Sequence, residues 1–244
     1  MRNLLVTLKF DGTNYHGWQI QQNAPTVQEI VTEAVRIITG KKASVHGCSR
    51  TDTGVHANMF CFSFKTASSL PCNKIVRALN GNLPFDIAAT DCIEVEEDFH
   101  ARFNATGKVY NYAILLEAKD VFFHDVMYLY PYAFDEELFK DALTHFIGVH
   151  NFKNFTSKVE DAEGFVREIF DIETNVNGEF VSVTLHGTGF MRYMIRYIIG
   201  CALEVCKGKM TLEEVDELLD DSSERHIVSC KAPANGLTLV RVEY

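Results

Sequence analysis

A short polar loop carries the residues best suited to chemistry. Residues 46–57, His46-Gly-Cys-Ser-Arg-Thr-Asp-Thr-Gly-Val-His-Ala57, place Arg50 and Asp52 between two apolar segments that alternate with the period of a strand. A carboxylate on a loop that a sheet holds in place can act as a nucleophile. A simpler interpretation is also open, in which Asp52 accepts a hydrogen bond from the amide of Gly54 in an Asx turn and Arg50 is a solvated neighbour.

The same loop contains residue types that bind metals. His46, Cys48 and His56 lie close in sequence, but they have neither zinc-finger spacing nor the His-Glu-x-x-His pattern, so we expect no metal. The chain has 7 cysteines, which are scattered and never in Cys-x-x-Cys spacing. An odd, scattered set favours buried thiols in a reducing cytoplasm.

The charge balance restricts how the chain can bind nucleic acid. A net charge of -10 argues against nonspecific binding by the whole surface, because Lys and Arg supply most of the affinity for phosphate. Much of the acid is confined to residues 94–98, 160–163 and 213–224. Basic residues outside these stretches can therefore gather on one face. They are Arg50, Arg77, Arg102, Lys108, Arg192 and Arg196.

No segment has the pattern of a signal peptide or a membrane span. The apolar patch within residues 1–10 is too short for a signal peptide, and residues 189–206 are interrupted by Arg192 and Arg196. We therefore expect a soluble cytoplasmic protein in which residues 190–206 form a buried helix. A guanidinium at Arg196, in the middle of that helix, needs a carboxylate from the chain or a phosphate from a substrate, unless it extends along its stem to the surface.

The elements of the first half follow a βαββαβ order. A strand is predicted at residues 3–10, followed by a helix that a Thr26/Glu29 capping box opens and Gly40 closes. Strands are predicted on either side of the polar loop. A helix at 73–80 and a strand at 87–95 complete the first half. This is the ferredoxin-like arrangement, which RNA-recognition modules also use.

The turn at Asp11-Gly12-Thr13 suggests a different enzyme class. An Asp-Gly-Thr after an apolar strand resembles phosphatases of the haloacid dehalogenase type. Their nucleophile would stand at residue 9, where this chain has Lys9, which cannot accept a phosphoryl group as a carboxylate does. We reject that interpretation.

The second half repeats the architecture without repeating the sequence. Its predicted elements are a strand at 108–116, a helix at 135–147 that begins at Asp135, a polar and aromatic loop at 151–155, strands at 166–176 and 180–186 that meet at Asn177-Gly178, the helix at 190–206, a helix capped by Thr211 and Glu214, and a last strand ending at Tyr244. We predict domains 1–103 and 104–244. The predicted fold is α+β, with two ferredoxin-like halves joined into one mostly antiparallel sheet, helices on one side and a central cleft.

Two tyrosines stand on one face of the strand at 108–116. Tyr110 and Tyr112 share that face with Lys108. Same-face tyrosines pack in a core or form a platform for a base, and both interpretations are open from composition alone.

Several motifs of the sequence resemble those of a known family. Residues 47–57 are similar to the Gly-Arg-Thr-Asp-Ala-Gly-Val-His signature of the tRNA pseudouridine synthase A (TruA) family, with Ser49 and Thr53 in place of the commoner glycine and alanine. Further similar motifs run the whole length of the chain. They are Phe10-Asp-Gly-Thr-x-Tyr-x-Gly-Trp-Gln19, Val27-Gln28-Glu29, Asn80 to Pro84, Phe99-His-Ala-Arg-Phe-x-Ala-Thr106, Phe190 with Met194, Arg196 and Gly200, and Gly236-Leu237.

The resemblance implies an activity and a set of site residues. It implies isomerisation of uridine to pseudouridine at positions 38–40 in the anticodon stem-loop of tRNA, without a cofactor, by a homodimer. We expect neither a membrane nor DNA as a partner. Asp52 would be the catalytic residue, Arg50 and Arg102 would bind the substrate, Tyr110 would stack on the target base, and Arg196 would pair with Asp52.

The chemistry requires the same residue types. The N1–C1′ bond must break and the uracil must rejoin through C5, while water is kept out. A carboxylate can act as the nucleophile if it stays ionised in a dry pocket, and a nearby guanidinium opposes the rise in pKa that burial causes. Two alternatives stay open at this stage, a non-catalytic protein of two RNA-recognition halves and a carboxylate-based nucleoside hydrolase.

Overall fold

The computed structural model describes residues 1–159, 164–222 and 224–244. They form two compact units, residues 1–106 with 238–244 and residues 107–237. The acidic stretch at 160–163 and Ser223, within the acidic stretch 213–224, lie outside the described residues. Strands that pair mostly antiparallel combine with helices, which confirms the predicted α+β class. The division into domains 1–103 and 104–244 stays a prediction.

The described elements follow one another in this order: β1 (Arg2–Phe10), α1 (Val27–Thr39), β2 (His46–Gly47), β3 (His56–Thr66), α2 (Cys72–Asn80), β4 (Ile87–Val95), β5 (Gly107–Leu115), β6 (Tyr128–Leu129), α3 (Glu136–Thr144), β7 (Gly148–Asn151), β8 (Val166–Asn177), β9 (Phe180–Gly187), α4 (Met194–Cys206), α5 (Leu212–Leu219) and β10 (Leu237–Glu243). A single 3₁₀ turn, Lys153–Phe155, follows β7.

The sheet of the first unit has the predicted ferredoxin-like order. The strand β1 pairs antiparallel with both β4 and β3. The far edge of β3 is shared, because β2 pairs with it at Phe62 and Ser63 while β10 runs parallel to it at His56 and Ala57. The strand β2 is therefore only two residues long, and the last strand of the sequence completes the sheet of the first unit.

The predicted capping box at the start of α1 is wrong. Thr26 precedes the helix, but its hydroxyl is fully buried and has no hydrogen-bond partner among the described residues. The amides of Val27 and Gln28 instead donate to the carbonyls of Gly17 and Trp18, at 3.2 and 3.0 Å. A neighbouring backbone segment thus satisfies the helix end, so the side-chain cap is not needed. The left-handed Gly40 ends the helix as predicted.

The second unit has the strand order β5-β9-β8-β7, with β6 parallel to β5. The predicted hairpin between β8 and β9 is present, but it turns at Gly178 and Glu179, one residue later than predicted, because Asn177 pairs with Phe180; Gly178 has φ +60°. Asp135 caps α3, and Thr211 and Glu214 form a complete capping box on α5, which confirms both helix starts. The strands β6 and β7 were not predicted, because two to four residues are too short to show alternation.

The late buried helix begins later than the sequence predicts. Tyr193 has φ +66°, which is left-handed, so α4 starts at Met194 and not at Phe190. Arg196 consequently lies in the first turn of the helix and not in its middle. Most side chains of α4 are buried, as predicted. A β-carbon on Gly200 would lie 2.2 Å from the carbonyl oxygen of Cys230, so this glycine permits the segment before β10 to pack directly on the helix.

Candidate active site

The loop that carries Asp52 leaves the sheet of the first unit and returns to it. The strand β2 holds the start of the loop against β3, and the amide of Cys48 donates to the carbonyl of Cys61 at 2.8 Å. Beyond this pair the two segments separate, and the chain rejoins the sheet at His56, the first residue of β3. Arg50 is exposed and Asp52 is partly buried.

A second segment, residues 11–19, holds the tip of this loop. The amide of Trp18 donates to the carbonyl of Thr51 at 3.3 Å, and the amide of Gly54 donates to the carbonyl of Tyr15 at 3.2 Å. The Gly54 amide thus has an acceptor outside the loop, and the alternative in which Asp52 accepts from it in an Asx turn stays a prediction. The backbone also closes the turn, from the amide of Val55 to the carbonyl of Asp52 at 3.2 Å.

Glycines make this close approach of the two segments possible. A β-carbon on Gly12 would lie 2.1 Å from the carbonyl oxygen of Val55, and one on Gly17 would lie 2.3 Å from that of Thr51. Gly17 also has φ +80°, which favours glycine on conformational grounds. The Asp-Gly-Thr turn that suggested a phosphatase therefore has a structural role, since Gly12 lets it approach the backbone of Val55, after Asp52.

A histidine and a carboxylate support the far end of the loop. The amide of Gly12 donates to Nδ1 of the buried His56 at 3.0 Å, and Oδ1 of Asp11 lies 3.1 Å from the same nitrogen. Partial burial acts to raise the pKa of Asp11, but hydrogen bonds from the Thr13 hydroxyl and amide, together with His56, hold this pKa below its usual value. Asp11 is therefore ionised at neutral pH and fixes the turn.

Thr51, the residue before Asp52, contributes a buried hydroxyl to this loop. Its side chain is 9% exposed, and its Oγ1 has no hydrogen-bond partner among the described residues. Sequence reasoning did not single out Thr51, since a threonine in a polar loop gives no signal of burial.

The tyrosines of β5, which the sequence does not distinguish, have different surroundings. Tyr112 is fully buried, its hydroxyl donates to the carbonyl of Pro233 at 2.8 Å, and burial raises its pKa well above the ordinary value. Tyr112 is therefore a packing residue. Tyr110 is 6% exposed, and its ring meets that of Phe190 edge-on at a centroid distance of 5.4 Å. The two rings are therefore nearly perpendicular, and Phe190 helps to fix the orientation of Tyr110.

Arg196 is partly buried in the first turn of α4. Its Nε donates to the carbonyl of Ala232 at 2.8 Å, and the Ala232 amide donates back to the Arg196 carbonyl at 2.9 Å. The guanidinium group is thus fixed by backbone and does not simply extend into solvent. The pairing of Arg196 with Asp52 stays a prediction.

Arg102 lies in a compact turn of the first unit. Its amide donates to Nδ1 of His100 at 3.1 Å, and its guanidinium carbon lies 5.4 Å from the ring centre of Phe103, which is 70% exposed. Burial lowers the pKa of His100, and the charges of His46 and Arg102 act in the same direction. The turn therefore presents a cation and an aromatic ring together at the surface.

Comparison with known proteins decides the family. The sequence pattern of the family described as tRNA pseudouridine synthase matches residues 7–104 and 142–244, which is most of the chain. The chain belongs to this tRNA pseudouridine synthase family. Like its family, it is an isomerase that acts on uridine in tRNA. The family pattern includes the loop with Asp52 and the helix with Arg196, but it does not include β5 with Tyr110.

Relatives of this pseudouridine synthase cover its whole length. It is 36% identical to a tRNA pseudouridine synthase A of Thermoanaerobacter sp. (strain X514) and 38% identical to one of Acetivibrio thermocellus, in both cases over 100% of each chain. A protein of Clostridium perfringens with the name tRNA pseudouridine synthase A 2 is also 38% identical over 100% of both chains.

Similarity to solved structures is weaker. One match is a chain of an H/ACA RNP bound to a substrate RNA containing 2′-deoxyuridine, with a TM-score of 0.41 and 12% identity. The match covers 97% of this synthase and 47% of that chain.

Among the described residues, no helix is both long and apolar enough to cross a membrane. Residues 1–159, 164–222 and 224–244 contain no group of three or more metal-binding side chains arranged to hold an ion.

Proposed function

We propose that this enzyme isomerises uridines at positions 38–40 in the anticodon stem-loop of tRNA, with Asp52 as the catalytic carboxylate. The observation that carries the proposal is the support of the Asp52 loop by residues 11–19, in a chain whose full-length relatives are named tRNA pseudouridine synthase A. A catalytic group must be held in place by its surroundings, and backbone hydrogen bonds hold the peptide groups on both sides of Asp52.

The reaction needs no cofactor, because its atoms and electrons balance within the substrate. The N1–C1′ bond breaks, a C5–C1′ bond forms, and one proton is lost from C5 while one is gained at N1. Asp52 either attacks C1′ and is displaced when C5 attacks, or adds to C6 of the base; both routes require an ionised carboxylate. In this proposal the guanidinium of Arg196 keeps Asp52 ionised.

The other site residues hold the substrate. Tyr110 stacks on the detached uracil, the role that the family resemblance implies, and the perpendicular Phe190 ring helps to fix its orientation. Arg50 is exposed beside Asp52 and braces the gap that a flipped nucleotide leaves. Arg102 binds RNA at the surface with the neighbouring Phe103 ring. We also propose that the enzyme acts in the cytoplasm as a homodimer.

Replacement of Asp52 tests the proposal. The Asp52→Asn variant keeps the size of the side chain but cannot act as an anionic nucleophile, so we expect tRNA binding to persist while pseudouridine formation falls to background. Pseudouridine is mapped in tRNA from cells that lack this gene and carry either the wild-type or the variant copy. Asp98→Asn, which removes an exposed carboxylate from the same unit, is the matched control and should retain activity.

Two results would contradict the proposal. Pseudouridine formed by the Asp52→Asn variant at the rate of the Asp98→Asn control would show that the carboxylate is not required. Free uracil released from tRNA by the wild-type enzyme would indicate hydrolysis, because water would then have captured C1′.

A further inference from the structure

Three cationic side chains surround the ring of Tyr193. The Nζ atom of Lys231 lies 4.2 Å from the ring centre, and the guanidinium carbons of Arg192 and Arg196 lie 4.7 and 5.2 Å from it. Any two of these charges are therefore separated by no more than about 10 Å, the Debye length at 0.1 M salt. We call Arg192, Tyr193 and Lys231 the Tyr193 cluster.

The fold brings the cluster together from two parts of the sequence. Tyr193 adopts φ +66°, a costly conformation for a residue with a large side chain, and it is the residue immediately before α4. Two hydrogen bonds join Arg196 and Ala232, one from the Arg196 side chain and one from the Ala232 amide, and they hold Lys231, the residue before Ala232, beside the same helix. Like charges repel, so an anion bound among them would lower the free energy of this arrangement.

The described chain provides no carboxylate for two of these cations. Arg192 and Lys231 are exposed, and in the parts of the chain that the structure describes neither forms an ion pair. Arg192 instead donates from its guanidinium to the hydroxyl oxygen of Tyr193 at 2.8 Å. The hydroxyl hydrogen of Tyr193 can then be donated to an acceptor from outside the protein.

We propose that the Tyr193 cluster binds a phosphodiester group of the tRNA backbone. A guanidinium, an ammonium and a hydroxyl all donate hydrogen bonds, which suits the oxygens of a phosphate. The amides at the start of α4 carry partial positive charge and support the same choice. A nucleobase fits less well, because the cations already lie near the ring on which a base would stack.

The location gives this phosphate a role in the reaction. Arg196, which in the proposed function keeps Asp52 ionised, contacts the same Tyr193 ring. The bound phosphate therefore belongs to the target nucleotide or to its immediate neighbour. It would hold the backbone while the base is detached and turned. This assignment of the phosphate rests on the proposed function, whereas the binding of a phosphate by the cluster does not.

The salt dependence of tRNA binding tests the cluster in the full-length enzyme. The dissociation constant for unmodified tRNA is measured between 50 mM and 1 M salt for wild type, Lys231→Ala and Arg192→Ala. Each lost phosphate contact should lower the slope of log affinity against log salt by about 0.7 to 0.9. Binding should then be about five- to eightfold weaker at 0.1 M salt, and the difference should vanish near 1 M.

Two further variants separate this effect from a general loss of charge. Lys209→Ala removes an exposed lysine of the same unit outside the cluster and should keep the wild-type slope. Lys231→Arg keeps the positive charge, so it should also keep the wild-type slope. Equal slopes in wild type, Lys231→Ala and Arg192→Ala would overturn the proposal, and so would an equal decrease in Lys209→Ala. Because binding is measured without turnover, these outcomes are distinct from a failure of Asp52 to act in catalysis.

Discussion

Replacement of Gly17 by alanine tests the role of residues 11–19 in positioning the catalytic loop. The added β-carbon would lie 2.3 Å from the carbonyl oxygen of Thr51, whereas ordinary contacts begin at 3.4 Å. The loop must therefore move by about 1 Å, directly beside Asp52. A displacement of this size at a catalytic group costs about 100-fold in rate. The left-handed conformation adds about 1 to 2 kcal/mol of destabilisation.

Gly40→Ala is a matched control for the conformational cost. Gly40 has φ +70°, close to the φ of +80° at Gly17, but no atom lies within 4 Å of the β-carbon position. The conformational cost should lower the melting temperature of both variants by a few degrees, and Gly17→Ala should lose more because its β-carbon also meets the Thr51 carbonyl. Only Gly17→Ala should lose turnover.

The assay compares pseudouridine formation per folded enzyme at saturating tRNA, with thermal unfolding measured on the same samples. Turnover by Gly17→Ala within about threefold of Gly40→Ala would refute the reasoning. It would show that the loop either does not move or does not hold the reacting group.

Two further predictions concern stability. Tyr112→Phe removes a buried hydrogen bond, so it should lower the free energy of unfolding by about 1 kcal/mol. Urea denaturation measures this loss, and the dependence of the unfolding free energy on urea concentration should not change. Unchanged stability would show that the bond contributes nothing. The pKa of Asp11 is lower in the folded protein than its ordinary value, so its ionised form stabilises the fold at neutral pH and this contribution is lost as the pH falls through the folded pKa. Asp11→Asn should therefore be less stable than wild type at pH 7, and the difference should shrink as the pH falls below about 3.9, the ordinary pKa of an aspartate; a difference that does not change with pH would contradict this.

Local patterns predicted most elements of the fold. The Asp135 cap, the end of α1 at Gly40 and the hairpin after β8 each depend on residues a few positions apart, so the sequence is sufficient to place them, the hairpin to within one residue. The Thr26 and Thr211 boxes show where this reasoning stops. Both have the same pattern, but only the second forms, because a distant backbone segment occupies the amides at the start of α1.

The sequence by itself determined which residue types the chemistry uses, since Asp52 and its loop form a continuous motif and Arg196 lies within a recognisable apolar helix. The tertiary structure alone separated Tyr112 from Tyr110, and it placed Lys231 beside Tyr193. The physical reason is the range of the interactions. Propensity, alternation and capping act between near neighbours, whereas the burial of a hydroxyl or the gathering of charges depends on segments that meet only when the chain has folded.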